Sequence, residues 1–351
     1  YNPGTGEIRY KCPNPSCKHE QVTTIDEARV KLNWRVDWPA KWSIFNTSCE
    51  PAGKDHSVKG GSYDTGLELC KEIFGYEGPL KLSYEWLRLG DQDMSTSGGI
   101  VFNPREYLRI GGLPEAFRHL ILKTRPTSHI SFRVEYLPQM QDEYERFERV
   151  YFGFEEVPDE ELQVIKYLFP IVQPVDLPKK LPLRIPFKYA VVMAQVRELL
   201  DEGTVVIKCN EMARRSFPGD SPGVLERENV FKLLDAAKYW VEHYAPKHYR
   251  FNVTREPDEG VTSKLNEIEK KALRMLHEFI VSTGADSGED IQNQVFNIAK
   301  EQLEVSPKKV FQAIYKVFVG KKHGPRLGPF LEAMDKKFII KRLEASYTKK
   351  E

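Results

Sequence analysis

The protein has 351 residues, of which 40% are hydrophobic and 29% are charged. This composition excludes a disordered, collagen-like or coiled-coil chain, and the length predicts about two or three domains. The 52 basic residues nearly balance the 51 acidic ones, so a nucleic-acid partner would be bound by a local basic patch and not by overall charge. No apolar run is long enough to cross a bilayer and no secretory leader opens the chain, so no membrane partner is expected. Five cysteines in a chain of this length do not suggest a disulfide scaffold, and we expect a cytoplasmic protein.

The first segment carries Cys12 and Cys17 around a proline-rich turn, with His19 two residues further on. Two thiolates and an imidazole at this spacing look like half of a zinc knuckle. Tetrahedral zinc needs four ligands, and the other three cysteines are far away in sequence. Either the remaining ligands lie upstream of Tyr1 and a structural Zn²⁺ site is present, or these are two cysteines in an ordinary turn.

Residues 41–99 alternate between strand and helix patterns. The short apolar run 41–45 predicts a buried strand, residues 63–75 predict a helix, and the alternating segment 79–86 predicts a second strand. A loop of small residues follows at 91–99. This order indicates the latter part of a parallel nucleotide-binding sheet, which binds its ligands beyond the carboxyl ends of the strands.

From Leu113 onward the pattern becomes helical. Apolar stripes and capping signals predict helices beginning at Pro114 and at 144–151, 158–169, 188–202, 228–245, 264–280, 289–303 and 307–320. Prolines recur at every fourth residue from Pro170 to Pro186, and we expect an extended strap there, because a helix interior does not tolerate proline.

The predicted fold class is therefore α/β followed by all-α, with a Rossmann-like sheet and then helical domains. The predicted domains are the end of a zinc-knuckle insertion at 1–33, the second half of a nucleotide-binding domain at 34–112, a helical domain with the strap at 113–186, and a C-terminal helical domain at 187–351. Lys321, Lys322, His323 and Arg326 crowd the turn after Gly320. Such charge runs are usually solvated surface, but a rigid helix turn is also where a backbone-contacting patch would lie.

The loop Asp93-Met94-Ser95-Thr96-Ser97 resembles the Lys-Met-Ser-Lys-Ser signature of class I aminoacyl-tRNA synthetases. The segments 34–42, 53–66 and 310–331 make the resemblance more specific, because they look like the archaeal-type class I lysyl-tRNA synthetases. This resemblance extends over nearly the whole chain. It implies that 34–112 is the second half of the class I catalytic domain, that 113–186 is a stem-contact domain and that 187–351 is an anticodon-binding domain. It implies an enzyme that joins lysine to ATP, releases pyrophosphate and passes the lysyl group to tRNA(Lys), with ATP and Mg²⁺ as cofactors, and we expect a monomer.

The resemblance also implies roles for individual residues. The signature loop 93–97 is the catalytic loop. ATP is implied to contact Gly53 and Asp55 through its ribose and Ser95 and Ser97 through its phosphates. Lysine is implied to lie against Trp34, His56 and Tyr84, since aromatic walls hold an alkyl stem and an ammonium group. Helices within 264–345 are expected to contact the anticodon stem, with phosphates on Lys321, Lys322 and Arg326 and an unpaired base stacked on an exposed Tyr315. Core packing for Trp34 and a plain surface position for His56 stay open as alternatives.

Two departures from the family pattern matter. Asp93 stands where the signature has its first lysine, and a carboxylate near pyrophosphate is repulsive. The hydroxyls and backbone amides of Ser95, Thr96 and Ser97 could still hold the phosphate oxygens, and Lys54 or Arg88 could substitute for the lysine. The His-Ile-Gly-His signature that class I enzymes carry before the tryptophan motif is absent from this sequence. We therefore expect the N-terminal half of the catalytic sheet to be missing and this chain not to activate lysine alone. Two other functions stay open: a non-catalytic RNA-binding relic of a synthetase, and a glutamyl-type synthetase, which would need a cationic pocket.

Overall fold

The computed structural model describes residues 1–27, 29–94, 102–219, 223–256, 258–285 and 287–348. The chain folds into two compact units. The first unit contains residues 1–87 and 124–130, and the second contains residues 88–123 and 131–351. The four domain boundaries expected from the sequence differ from this division and stay predictions.

The first unit begins with a hairpin of β1 (Glu7–Lys11) and β2 (Glu20–Thr24), which pair antiparallel from Glu7 opposite Thr24 to Lys11 opposite Glu20. An α/β segment follows. Its elements are α1 (Trp34–Phe45), β3 (Cys49–Gly53), α2 (Lys54–Ser57), α3 (Ser62–Glu72) and β4 (Leu80–Tyr84). Strands β3 and β4 pair parallel, as the sequence predicts for a nucleotide-binding sheet.

The predicted strand at 41–45 is wrong, because these residues form the last turns of helix α1. The Asn33 side chain accepts a hydrogen bond from the Arg35 amide at 3.0 Å and caps the helix. Trp34, Trp38 and Trp42 then recur at every fourth residue and pack against one another as tilted pairs, with ring centroids 5.6 and 4.6 Å apart. This stripe outweighs the β preference of a five-residue run.

A small aromatic core holds the helices of the first unit against its sheet. Trp42, Tyr63 and Cys70 are buried there together with Ala52 of β3. Gly66 of α3 lies directly under the Trp42 ring, so that a Cβ at this position would come within 2.9 Å of the indole. The close approach of α1 and α3 therefore depends on a glycine at position 66.

The second unit is mainly helical. Strands β5 (Leu87–Leu89), β6 (Gln92–Asp93) and β7 (Ile130–Phe132) form a three-stranded sheet in the order β6–β5–β7, and β5 and β7 lie where the chain passes from one unit to the other. The helices are α4 (Pro104–Arg109), α5 (Pro114–Leu122), α6 (Leu137–Tyr151), α7 (Asp159–Val172), α8 (Phe187–Val196), α9 (Glu202–Ser216), α10 (Arg227–His243), α11 (Glu259–Thr262), α12 (Glu267–Thr283), α13 (Gly288–Asn297), α14 (Pro307–Val319), α15 (Leu327–Glu332) and α16 (Lys336–Tyr347). The helices predicted from the sequence are present in this unit, and α4, α9, α11, α15 and α16 are additional to them. Within the described residues, none of the helices is both long and apolar enough to cross a membrane.

The strap was expected to begin at Pro170, and this is wrong by one helical turn, because α7 continues through Pro170 to Val172. Phe169 and Val172 are fully buried in the core formed with α5 and α6. The Arg118 guanidinium donates hydrogen bonds of 2.7 Å to the carbonyl oxygens of Val172 and Ile171, which end the helix. Core burial and this cap together offset the hydrogen bond that the proline cannot donate.

Candidate functional site

The carboxyl ends of β3 and β4 lie side by side, with Gly53 opposite Tyr84 in the parallel register. Gly53 also precedes helix α2 as its N-cap residue. A Cβ at Gly53 would be 3.9 Å from the Tyr84 ring, so the strand ends are close but not crowded. Tyr84 is 47% exposed, and Asp55 of α2 is exposed beside this edge. This end of a parallel pair is where open α/β sheets bind ligands.

Trp34 and His56 meet in the same unit, at the start of α1 and in α2. Their ring centroids are 5.2 Å apart in an edge-to-face arrangement, and Trp34 stays 48% exposed. The His56 Nδ1 atom lies 2.9 Å from the Ser62 hydroxyl at the first position of α3, and this hydrogen bond fixes the orientation of the imidazole. Core packing of Trp34 is excluded in this structure, because half of the side chain faces solvent.

The exposed Trp34 ring rests on an aromatic support that the sequence analysis missed. Trp38 packs against both Trp34 and His56, and its indole N–H donates a 2.9 Å hydrogen bond to the Glu50 carboxylate. Trp38 also meets the buried Tyr63 edge to face. The i, i+4 spacing of the tryptophans is the sequence signal that indicates this support.

Lys54 does not point to a free phosphate site in this structure, because it forms an ion pair with Glu85. The Lys54 ammonium lies 2.8 Å from the Glu85 carboxylate, and the His129 Nδ1 atom lies 3.2 Å from the same oxygen. The hydrogen bond from Lys54 holds the pKa of Glu85 below its ordinary value. Lys54 and Glu85 directly follow Gly53 and Tyr84, so this ion pair lies at the ends of the two strands.

Asp93 ends strand β6 in the second unit, and its carboxylate accepts a hydrogen bond of 2.7 Å from the Arg88 guanidinium of β5. Both cations that the sequence offered as replacements for the signature lysine are thus engaged with carboxylates. The Asp93 charge is in turn balanced by Arg88, which lessens its repulsion of an anion. Met94 is half-buried, while Ser95, Thr96 and Ser97 lie outside the described residues.

The basic turn at the end of α14 is exposed, as expected. Gly320 ends the helix in the left-handed conformation, with φ 67°, and Lys321, Lys322 and Arg326 are exposed after it. The expectation that Tyr315 is exposed is wrong. Tyr315 is only 8% exposed, its hydroxyl donates a hydrogen bond to the Pro325 carbonyl, and burial raises its pKa to about 12. This hydrogen bond links the turn to α14, and the buried tyrosine ring has no exposed face on which a base could stack.

Cys12 and Cys17 lie in the loop between β1 and β2, where the Cys12 amide donates a 2.8 Å hydrogen bond to the His19 carbonyl. Across the described ranges of the chain, no three histidine, cysteine, aspartate or glutamate side chains come together in a group that could hold a metal ion. The structure therefore does not support a Zn²⁺ site made by Cys12, Cys17 and His19 alone.

Residues 1–171 match the family model described as class I tRNA synthetases (K). Over these residues the match agrees with the family resemblance found in the sequence. The mixed α/β first unit and the mainly helical second unit confirm the predicted fold class. The parallel strands β3 and β4, with Gly53 and Tyr84 at their ends, lie within the matched residues.

The similarity to curated proteins extends beyond residues 1–171. The lysine–tRNA ligase of Methanocaldococcus jannaschii is 34% identical over 353 residues, which covers 97% of this chain and 64% of that protein. The lysine–tRNA ligase of Pyrococcus horikoshii is 34% identical over 348 residues, with 97% and 63% covered. The chain thus spans a little under two thirds of the length of these relatives. A solved structure of a glutamate tRNA ligase from Elizabethkingia meningosepticum aligns at 14% identity and a TM-score of 0.35 over 97% of this chain and 66% of that one, which is too loose a likeness to inform the site.

Proposed function

We propose that the chain serves lysine–tRNA ligation, in which lysine is activated with ATP and then transferred to tRNA(Lys) for protein synthesis in the cytoplasm. One observation carries this proposal: the identity to lysine–tRNA ligases runs along 97% of the chain and includes the helical region outside the synthetase domain. A protein that had kept only a nucleotide-binding sheet would not need to resemble these ligases across both regions.

Lysine is proposed to bind against Trp34, His56 and Tyr84. Trp34 and His56 touch each other at 5.2 Å, and both Trp34 and Tyr84 present exposed rings in the first unit. An aromatic face attracts an ammonium group and packs against an alkyl chain, which are the two ends of the lysine side chain. A glutamyl-type enzyme would need cations here instead, and the nearby Lys54 is engaged with Glu85.

ATP is proposed to place its ribose at the strand ends. Gly53 allows close backbone approach there, and the exposed Asp55 carboxylate accepts hydrogen bonds from sugar hydroxyls. The signature loop is proposed to contact the phosphates through Ser95 and Ser97. Mg²⁺ would bind together with ATP, because this ion prefers phosphate and water oxygens to a site made of protein ligands alone. Activation then relies on positioning and charge stabilisation, since the lysine carboxylate itself attacks the α-phosphate.

The tRNA is proposed to contact the basic turn that follows α14. Lys321, Lys322 and Arg326 are exposed there, on a turn that Tyr315 fastens through Pro325. Phosphate contacts of this kind release counterions, so the affinity for tRNA should fall as salt rises. A single copy of the chain supplies every contact proposed here, in keeping with a monomer.

A second function, RNA binding without catalysis, is favoured by one observation. Asp93 occupies the first position of the signature loop, and Arg88 and Lys54 are both paired with carboxylates. If no cation is released when ATP binds, the phosphates lack the charge stabilisation that class I activation requires.

Amino-acid-dependent ATP–pyrophosphate exchange separates these functions. The assay is run on the natural gene product that contains these 351 residues, and on this chain by itself, with each amino acid and with and without tRNA. Exchange with lysine in the gene product is the expected result, and none is expected from the chain alone. Exchange with a different amino acid would refute the lysine assignment. A folded gene product without any exchange would favour RNA binding, and the variant Asp93→Lys would then test whether the loop charge is the cause.

The lysine pocket has a matched pair of variants on one helix. Trp34→Ala removes the exposed ring at the start of α1, and Phe45→Ala removes an exposed ring at its other end. A lost cation–π contact is worth about 0.5–2 kcal/mol, so Trp34→Ala should raise the KM for lysine roughly 2- to 30-fold in the exchange assay. Phe45→Ala should leave that KM unchanged. Equal effects of the two variants would contradict a lysine contact at Trp34.

A further inference from the structure

A concave site lies wholly within the second unit, and its lining includes none of the residues proposed to hold lysine or ATP. It is a cavity of about 800 Å³ lined by α6, α8 and α9, by residues 248, 249 and 251 and by the turn at 324–329. This volume falls in the range of sites that hold a small molecule or one residue of a polymer. The function proposed above uses Arg326 only as an exposed phosphate contact and leaves the cavity itself unused.

Aromatic rings form the walls of this cavity, and several are held in place from outside. Tyr249 meets Trp240 edge to face at 5.3 Å, and its hydroxyl accepts a 2.9 Å hydrogen bond from Gln139. Phe251 meets the buried Phe330 edge to face, also at 5.3 Å. Phe154 is exposed and lines the cavity at its mouth. Fixed rings around an open space are suited to stacking on a planar group.

Three guanidinium groups also line the cavity, and two of them already form ion pairs with carboxylates. Arg149 lies 3.4 Å from the Glu155 carboxylate, and Arg215 is paired with Glu332. Arg326 lines the cavity and is exposed, and none of the ion pairs found among the described residues includes it. The cavity therefore presents at least one uncompensated cation beside its aromatic walls, which favours an anionic ligand.

A buried carboxyl group completes the lining. Glu145 of α6 is 2% exposed and accepts a hydrogen bond from the Phe187 backbone N–H at the start of α8. Burial raises the pKa of Glu145 to about 8, so at neutral pH the group is mainly protonated. A protonated carboxyl both donates and accepts hydrogen bonds, which matches the mixed donor and acceptor edge of a nucleobase.

From these observations we infer that the cavity binds one unpaired nucleotide of an RNA chain, with the base between the aromatic walls and beside Glu145 and its phosphate on Arg326. A purely apolar ligand would not use the arginine, and a small anion would not use the rings. Proteins that read RNA commonly take up unstacked bases in this way. The inference rests on the proposed function, which supplies the RNA, and it names where a single base of that RNA is held.

The test uses this chain with a labelled tRNA(Lys) transcript and, separately, with the four ribonucleoside 5′-monophosphates. Phe154→Ala removes a ring that is 43% exposed at the cavity mouth, and Phe296→Ala removes a ring that is 38% exposed elsewhere in the same unit. Both truncations are on the surface, so both variants should fold. Arg326→Ala tests the phosphate contact, and a transcript carrying 4-thiouridine at its unpaired positions tests the location by cross-linking.

Phe154→Ala should weaken tRNA binding by about 5- to 150-fold, since loss of one stacked base has effects of that size. Arg326→Ala should lower the salt dependence by about one counterion, Phe296→Ala should bind like the unchanged chain, and cross-links should map to the peptides that line the cavity.

Three results would overturn the inference, and each has a different meaning. If the unchanged chain binds tRNA and the cavity variants bind it equally well, the cavity does not hold a base although the proposed function stands. If a monophosphate saturates the cavity and the variants lose only that binding, the ligand is a free nucleotide and not RNA. If the unchanged chain does not bind tRNA at all, the RNA-binding part of the proposed function fails together with the inference.

Discussion

Replacement of Glu145 by glutamine is expected to make the protein more stable at neutral and alkaline pH. The Glu145 carboxyl is buried on α6, and burial raises its pKa from the ordinary 4.5 to about 8, which the positive charges of Arg184 and Arg149 only partly oppose. Glutamine has nearly the same shape and keeps an oxygen that can accept the Phe187 amide, but it cannot ionise.

The sign and the size of the effect follow from proton linkage. Between pH 4.5 and about 8 the unfolded chain has lost the Glu145 proton while the folded chain retains it, so the folded state is progressively disfavoured as the pH rises. At about 1.36 kcal/mol for each tenfold change in proton affinity, the full difference is roughly 5 kcal/mol. Relaxation and water penetration lower such penalties, and we expect about 2–4 kcal/mol in favour of Glu145→Gln at pH 8.

Urea unfolding of both proteins, followed by circular dichroism between about pH 5 and pH 9, measures this difference. The free energies of unfolding of the two proteins should differ by less than about 1 kcal/mol at pH 5 and diverge steadily as the pH rises above 5. Burial also raises the pKa of Glu148, to about 7, but Glu148 is present in both proteins, so its ionisation cancels in the comparison. Glu143→Gln, an exposed position on the same helix, is the control and should show no such divergence. Stability curves for Glu145→Gln and the unchanged protein that run parallel across this pH range would refute the assignment of a buried, protonated Glu145.

Two further changes test the packing and the capping in separate units. Gly66→Ala places a Cβ about 2.9 Å from the Trp42 ring and should cost about 1–3 kcal/mol in urea unfolding, with a shift of the tryptophan emission; full native stability would show that α1 and α3 can move apart freely. Asn266→Ala removes the capping box in which Asn266 and Glu269 bond each other's amides at 2.9 and 3.0 Å, and should cost about 1 kcal/mol of the free energy of unfolding. For Asn266, replacement by serine should restore most of that loss, and a serine variant as unstable as the alanine variant would count against capping as the cause.

The helical half of the protein was predictable because its signals are local. Pro307 begins α14 and Gly320 ends it, and the apolar residues between them recur at helical spacing. Residues at a helix terminus act on their own backbone, so the sequence contains the whole cause. The strands at the candidate site were partly predictable for the same reason, since 79–86 alternates cleanly and contains β4.

Where the local signal competed with a distant contact, the prediction failed. Residues 41–45 have the composition of a strand, but Trp42 stacks with Trp38 and Tyr63, and this packing decides for helix α1. Pro170 is a residue type that usually ends a helix, but α7 continues to Val172 because Phe169 is buried and Arg118 donates hydrogen bonds to the last carbonyl groups. In each case a deciding partner, Tyr63 or Arg118, lies many residues away in the chain.

Motifs and periodicity are properties of neighbouring residues, so they were enough to indicate the synthetase resemblance, the helical spacing of the second unit and the residue types of the proposed lysine pocket. Which of these residues are available depends on the tertiary structure. It left Trp34 half exposed, engaged Lys54 and Arg88 with carboxylates, and buried Tyr315 beneath its own turn. Exposure and charge pairing depend on groups brought together by folding, and no local pattern records them.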